Sequence, residues 1–152
     1  MKFQFLLCGS AIAAATFAVP SRAETVNLDA SLQVSCTFVV TDGALAPNSD
    51  YTQLSSQNSG GSPAQVVVTA LGGSPTITFA APSITSTNDV SGVTPEISYS
   101  SLDGAAQTYT SSESFSTSSD LADIYTVDAR AADPGGFDAG DYTITTVVTC
   151  SG

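Results

Sequence analysis

The stretch TVNLDASLQVSCTFVV, residues 25–40, carries the most decisive pattern in the sequence. Its even-numbered positions are all apolar, and its odd-numbered positions up to Thr37 are all polar. This alternation predicts a half-buried β-strand held in one register. At about 3.3 Å per residue the stretch extends roughly 50 Å, whereas strands in ordinary domains run about 3 to 10 residues. We therefore expect it either to bend between sheets or to lie partly outside the domain's own sheet.

The rest of the chain also predicts β-structure. It is rich in Thr, Ser, Val and Gly, and no apolar stripe with a 3.6-residue period is sustained. Short strand-like runs alternate with turn signals containing Gly, Asn or Pro, which predicts an all-β antiparallel sandwich or barrel. The polar segments 41–63 and 111–120 are interpreted as loops or a weak edge hairpin. The predicted strands are residues 65–70, 76–80, 96–100, 107–110, 123–128 and 142–150.

The first 23 residues have the three parts of a secretory signal. These are the basic residue Lys2, an apolar run over residues 3–19, and a small-residue exit that ends at Ala23. We expect cleavage after Ala23 and export into an oxidising compartment. No later stretch is apolar for the roughly 18 residues that a spanning helix needs, so membrane insertion is not expected. The remaining 152 − 23 = 129 residues predict a single domain.

Charge excludes one class of partner. Without the signal, the chain has 14 acidic residues and one basic residue, Arg130, which gives a formal charge of 1 − 14 = −13. Nucleic acid is excluded because phosphate binding needs clustered Lys and Arg. The simplest interpretation of this acidity is that the negative charge keeps the protein soluble outside the cell.

The residue types that remain exclude most catalytic chemistry. No His, Lys or Trp is left after the signal, so nucleophilic triads, imidazole metal sites and Schiff bases have no residues to work with. Paired carboxylates are the catalytic option that stays open. Asp133, Asp138 and Asp141 cluster near glycines, which leaves calcium binding as an alternative to turn formation. We interpret them as turn residues, because their spacing lacks the pattern of a calcium-binding loop. The sequence therefore predicts a protein that is not an enzyme and needs no cofactor or metal.

Two cysteines, Cys36 and Cys150, remain after the signal is removed. An oxidising compartment favours a disulfide between them, and both fall on the inward, even-numbered phase of their strands. Two free thiols or a bond between subunits are the alternatives.

The sequence DAGDYTI, residues 138–144, has the spacing of a tyrosine corner. In such a corner a Tyr at the start of a late strand bonds back to upstream backbone in immunoglobulin-like sandwiches. A glycine turn followed by an ordinary strand is the open alternative. If the corner forms, Tyr142 opens the sixth strand, and the sequence ends at Gly152 directly after it. A strand of the sandwich is then expected to be missing.

These two ends of the sequence resemble the spore coat protein U and archaic chaperone-usher pilin family. The matching features are an alternating N-terminal strand that leads into a Cys, and a final AGDYT, residues 139–143, followed by alternating Thr and Val. The resemblance implies an incomplete immunoglobulin-like antiparallel β-sandwich, residues 36–152, whose last strand a neighbour supplies. It further implies that residues 24–35 are a donor strand. The donor positions in this sequence are Val26, Leu28, Ala30, Leu32 and Val34.

From this resemblance we expect a secreted structural subunit of a surface pilus or coat, polymerising by donor-strand exchange. Its partners would be identical or related subunits, with a periplasmic chaperone and an outer-membrane usher in transit to the cell surface or an extracellular filament. The alternative is a self-complete, monomeric secreted sandwich that acts in adhesion or binds a glycan through exposed aromatic residues. The candidates for such a cluster are Tyr51, Tyr99, Tyr109, Phe115 and Tyr125.

Overall fold

A computed structural model of the chain describes residues 29–31, 33–118 and 122–152. The predicted signal peptide and its cleavage site at Ala23 lie outside the described residues, as do the donor positions Val26, Leu28 and Leu32. All of the strands belong to one unit, Ser31–Gly152.

The described residues form twelve β-strands and no helix. No segment of the described chain therefore makes a helix long and apolar enough to cross a membrane. The strands are β1 (Ser35–Thr41), β2 (Ala46–Pro47), β3 (Gln53–Ser55), β4 (Ala64–Leu71), β5 (Thr76–Phe79), β6 (Ser83–Ser86), β7 (Thr94–Ser101), β8 (Ala106–Thr110), β9 (Ser114–Thr117), β10 (Ala122–Ala132), β11 (Tyr142–Thr145) and β12 (Val148–Ser151).

The first layer is a seven-stranded antiparallel sheet built around β4 and β10. β1 pairs with β4 along its whole length, and β4 pairs with the first half of β10. The second half of β10 pairs with β3 on one side, and β7 lies on the other. β2 and β8 extend the sheet beyond β3 and β7. β1 is therefore the last strand at one side of this sheet.

The second layer consists of β9, β5 and β12, continued by β6 and β11. The two ladders join at Ala80, whose N–H donates to the Val147 carbonyl at 2.9 Å. Phe79 pairs with Val148, but Ser83 pairs with Thr145, so the three residues 80–82 lie opposite the two residues 146–147. This is a β-bulge on the β5–β6 side. Burial alternates without interruption from Tyr142 to Cys150, so β11 and β12 share one phase.

One apolar core lies between the two layers, as in a β-sandwich. The first layer contributes alternate residues of β4, β7 and β10, and the second contributes Ile77 and Phe79 of β5. The rings of Phe79, Tyr99 and Tyr125 pack at the centre, with centroids 4.4 to 5.8 Å apart. The predicted all-β antiparallel architecture is confirmed.

The structure confirms the prediction for one of the two polar segments and corrects it for the other. The segment 41–63 contains the short antiparallel pair β2–β3 at an edge of the sheet, as the predicted weak edge hairpin requires. The segment 111–120 contains β9, which pairs with β5 and is neither a loop nor part of a hairpin. β9 could not be predicted from the pattern of apolar residues, because its inward residues are Ser114 and Ser116. Ser116 is tolerated in the core because its hydroxyl lies 3.0 Å from the Tyr125 hydroxyl, so the two groups satisfy each other. No strand was predicted at β6, and the strand predicted over residues 142–150 is divided into β11 and β12.

Candidate functional site: a groove between two strand edges

A groove of about 540 Å³ lies between β1 and β11–β12. Phe38 and Val40 of β1 form one wall, and Thr143–Thr146 with Val148 form the other. Buried side chains of both layers, Val66 and Phe79 among them, form its floor. The groove is thus the side of the sandwich at which the two layers are open.

Both walls are strand edges with unused backbone hydrogen-bonding groups. Within the described residues, β1 pairs with β4 alone, β11 with β6 alone and β12 with β5 alone. The Val147 carbonyl points toward β5, because it accepts the bond from Ala80. Alternate residues of a strand direct their N–H and C=O groups to opposite sides. The backbone groups of Ile144, Thr146 and Val148 therefore point toward the free edge.

The wall of the groove exposes apolar side chains that the alternation assigns to the interior. Val40 lies on the inward, even-numbered phase of β1 but remains 58% exposed. On the opposite wall Ile144 is half-buried. Since apolar surface is stabilised by removal from water, this groove favours an apolar strand as its occupant.

The disulfide between Cys36 and Cys150 closes one end of the groove. It joins β1 to β12, with Cα atoms 6.3 Å apart, and confirms the predicted pairing within one chain. We refer to this as the disulfide end. The opposite, open end lies at Gly43 and Leu45, where a second cavity of about 120 Å³ continues the groove between Gly43 and Ile144.

The described part of the predicted donor segment leaves the domain at the disulfide end. Val34 is half-buried and lies close to Gly73 and Gly152. Gly72 has φ +93° and approaches the Gln33 carbonyl so closely that a Cβ would lie 2.7 Å from the oxygen, which only glycine avoids. Ala30, further along the segment, is exposed. Val34 therefore anchors the base of this segment to its own domain.

A third cavity, of about 300 Å³, lies next to the open end. We call it the aromatic pocket and define it by Leu45, Tyr51, Phe137 and Tyr142, with Asp138 and Asp141 also lining it. It shares Leu45 with the cavity that continues the groove.

Hydrogen bonds and a ring contact fix Tyr142 and Phe137 in the aromatic pocket. The Tyr142 hydroxyl donates to the Asp138 carbonyl at 2.9 Å and accepts from Asn88 Nδ2 at 3.0 Å. Its ring meets that of Phe137 edge to face, with centroids 5.2 Å apart. Tyr51 has φ +59°, unusual for a bulky residue, and its carbonyl accepts the Phe137 N–H at 2.8 Å. The pocket is therefore preorganised rather than adaptable.

The remaining candidate residues do not converge on a second site. Tyr99 and Tyr125 are buried in the core, so the structure removes them from the list of exposed aromatic residues. Tyr109 lies beneath the Arg130 guanidinium, 4.0 Å from ring centroid to Cζ, and Arg130 also pairs with Glu96 at 2.7 Å. Phe137, which pattern analysis overlooked, follows a Pro-Gly-Gly turn and gives no periodic signal.

Of the three acidic turn residues, Asp138 and Asp141 both line the aromatic pocket, and Asp133 belongs to the turn before it. Asp133 Oδ1 accepts the Gly135 N–H at 2.8 Å, which is turn chemistry. In the part of the chain that the structure describes, no group of three or more His, Cys, Asp or Glu side chains is close enough to hold a metal ion.

Comparison with known proteins assigns no family, since no family model, no curated protein and no solved structure matches this chain significantly. The function must therefore be argued from the geometry of the groove.

Proposed function

We propose that this protein is a structural subunit of a surface pilus or coat that polymerises by donor-strand exchange. Its fold would be an immunoglobulin-like sandwich completed by a strand from a neighbour, as in the family that the sequence resembles. The observation that carries the proposal is the groove, which has an apolar floor and two strand edges without a strand partner among the described residues. Such edges recruit an added strand through main-chain hydrogen bonds and side-chain pockets.

The predicted donor segment has the length and the pattern that the groove requires. The walls, residues 38–43 and 143–148, each extend roughly 20 Å at 3.3 Å per residue. The stretch 26–32 extends roughly 23 Å by the same rise, and Val26, Leu28, Ala30 and Leu32 share one face. Val34 would stay at the base of the segment, where it lies against its own domain.

The geometry of the two ends favours one direction for the incoming strand. A donor subunit begins its own domain at Cys36, two residues after Val34, so this domain must lie where the inserted strand emerges from the groove. The disulfide end is closed by the Cys36–Cys150 bond and occupied by the subunit's own Val34. The donor domain would therefore lie at the open end, with its strand antiparallel to β11–β12. Subunits joined in this way form an open head-to-tail fibre.

The experiment is a pair of matched charge substitutions in the purified mature protein. Leu28→Asp with Leu32→Asp puts two charges on the apolar face, where burial of each leucine contributes roughly 1.5 to 3 kcal/mol. Ser31→Asp with Gln33→Asp puts the same charges on the polar face. We expect the first pair to abolish polymers in sedimentation and in unheated detergent gels, and the second pair to retain them.

One result would overturn the proposal. If the native mature protein sediments as a stable monomer and its amides from Val26 to Val34 are protected from exchange, the segment belongs to its own sheet. The protein would then be a self-complete adhesion or glycan-binding module.

A further inference from the structure

We propose that the aromatic pocket at the open end receives Leu71 from the next copy of the chain, so that consecutive domains make a second contact beside the donor strand. The inference rests on the proposed function, because it uses the head-to-tail arrangement argued above. Its partner is a second copy of this chain, and its chemistry is apolar insertion into an aromatic pocket.

The exposure of Leu71 suggests that another surface covers it in the polymer. It is the last residue of β4, pairs with Ser35 beside Cys36, and is 60% exposed. It therefore lies at the disulfide end, directly before Gly72, whose backbone contacts the base of the donor segment.

The aromatic pocket lies at the end of the domain that Leu71 of the neighbouring copy would face. When the donor segment of one copy fills the groove of another, the disulfide end of the donor domain faces the open end of the acceptor. The pocket lies at this open end, because it shares Leu45 with the cavity that continues the groove. Its volume of about 300 Å³ is sufficient for a leucine side chain, and its Tyr142 ring is already held by a hydrogen bond and packed against Phe137. A preorganised pocket binds with a small loss of conformational entropy.

The distribution of charge also favours contact between the aromatic pocket and the corner of the domain that carries Leu71. Asp138 and Asp141 line the pocket, and two chains of formal charge −13 repel one another. The residues that follow Leu71 are Gly72, Gly73 and Ser74, which carry no charge. This corner can approach the acidic lining without juxtaposing like charges.

The proposal is tested by chemical cross-linking of assembled polymers. In a chain with Ser49→Cys and Ser74→Cys, which leaves Tyr51 and Leu71 in place, a short bis-maleimide should link neighbouring subunits into a ladder that survives boiling in detergent with reductant. The matched control is Ser49→Cys with Phe115→Cys. Like Ser74, Phe115 is exposed, but it lies on β9, on the side of its sheet away from β12. The control should give no ladder.

A second variant separates this contact from strand exchange. Leu71→Ser should leave the binding of a synthetic peptide of residues 24–35 unchanged, but it should shorten polymers severalfold in electron micrographs. Polymers that form without the Ser49–Ser74 ladder would overturn the pocket contact and leave the proposed function standing. Failure of the unmodified protein to polymerise would overturn both.

Discussion

At the residue scale, Tyr125 shows how one buried hydroxyl couples the core to pH. Its side chain is fully buried, and its hydroxyl lies 3.0 Å from Ser116 Oγ. Burial raises the pKa of Tyr125 above its ordinary value of 10.0, the Ser116 hydrogen bond opposes this, and the nearby Asp123 carboxyl adds to it. The folded protein therefore retains this proton at a pH at which the unfolded chain releases it.

The pKa of Tyr125 predicts a loss of stability in alkali. Its contribution is fully present below about pH 10 and is lost as the pH rises toward the higher pKa of the folded state. We expect the melting temperature to fall above about pH 10, and to fall less steeply in Tyr125→Phe. That variant should cost about 1 kcal/mol near neutral pH, because Ser116 loses its partner. Ser116→Ala retains the phenol and should retain the alkaline fall; equal alkaline slopes in all three proteins would contradict this assignment.

At the scale of elements, alternation predicts strands well wherever inward residues are large and apolar. This rule holds for β1 and for the core residues of β4, β5, β7 and β10. β9 does not, because serines point inward there and are satisfied by a tyrosine from another strand. The groove could not be located from the sequence either, since it depends on which strands end each sheet. Strand order is set by pairings distant in the chain, such as β1 with β4 and β12 with β5.

The free edge of β11–β12 predicts a difference between neighbouring proline substitutions. The Ile144 N–H points toward the groove, whereas the Thr145 N–H points toward β6, by the alternation that Val147 fixes. Ile144→Pro should keep the fold but weaken binding of the 24–35 peptide at least tenfold. Thr145→Pro should instead lower the melting temperature, because proline removes a ladder hydrogen bond. Equal loss of stability in both variants, measured by thermal unfolding, would contradict a free edge at Ile144.

The disulfide between Cys36 and Cys150 should contribute measurably to the stability of the fold. It joins residues 114 apart and connects the two layers beside the groove. In the chain-entropy model a loop of this size stabilises by roughly 4 to 5 kcal/mol. We expect Cys36→Ser with Cys150→Ser to lower the free energy of unfolding by about that amount in urea titrations. A loss below about 1 kcal/mol would indicate that packing alone holds β1 and β12 together.

At the scale of the whole molecule, net charge opposes the close approach of two copies. Residues 24–152 carry a formal charge of −13, so two copies of this part of the chain repel one another. Added salt screens this repulsion, with a Debye length of about 10 Å at 0.1 M and about 3 Å at 1 M. If the subunits polymerise as proposed, the rate of polymer growth, followed by light scattering, should therefore rise severalfold from low salt to 0.5 M sodium chloride. A rate that falls with salt would indicate attraction between charged groups.

If residues 24–35 are a donor segment as proposed, the bulge at residues 80–82 also restricts how that segment can change in evolution. Because the extra residue lies on β5–β6 and not on the free edge, β11–β12 keeps one parity over its whole length. A strand added to this edge directs every second side chain into the groove, so its apolar face repeats with a period of two residues. One serine inserted between Leu28 and Leu32 would shift the following residues to the other face and turn half of the apolar side chains to water. Two inserted serines would return them to the inward face, so this segment should tolerate insertions and deletions only in even numbers.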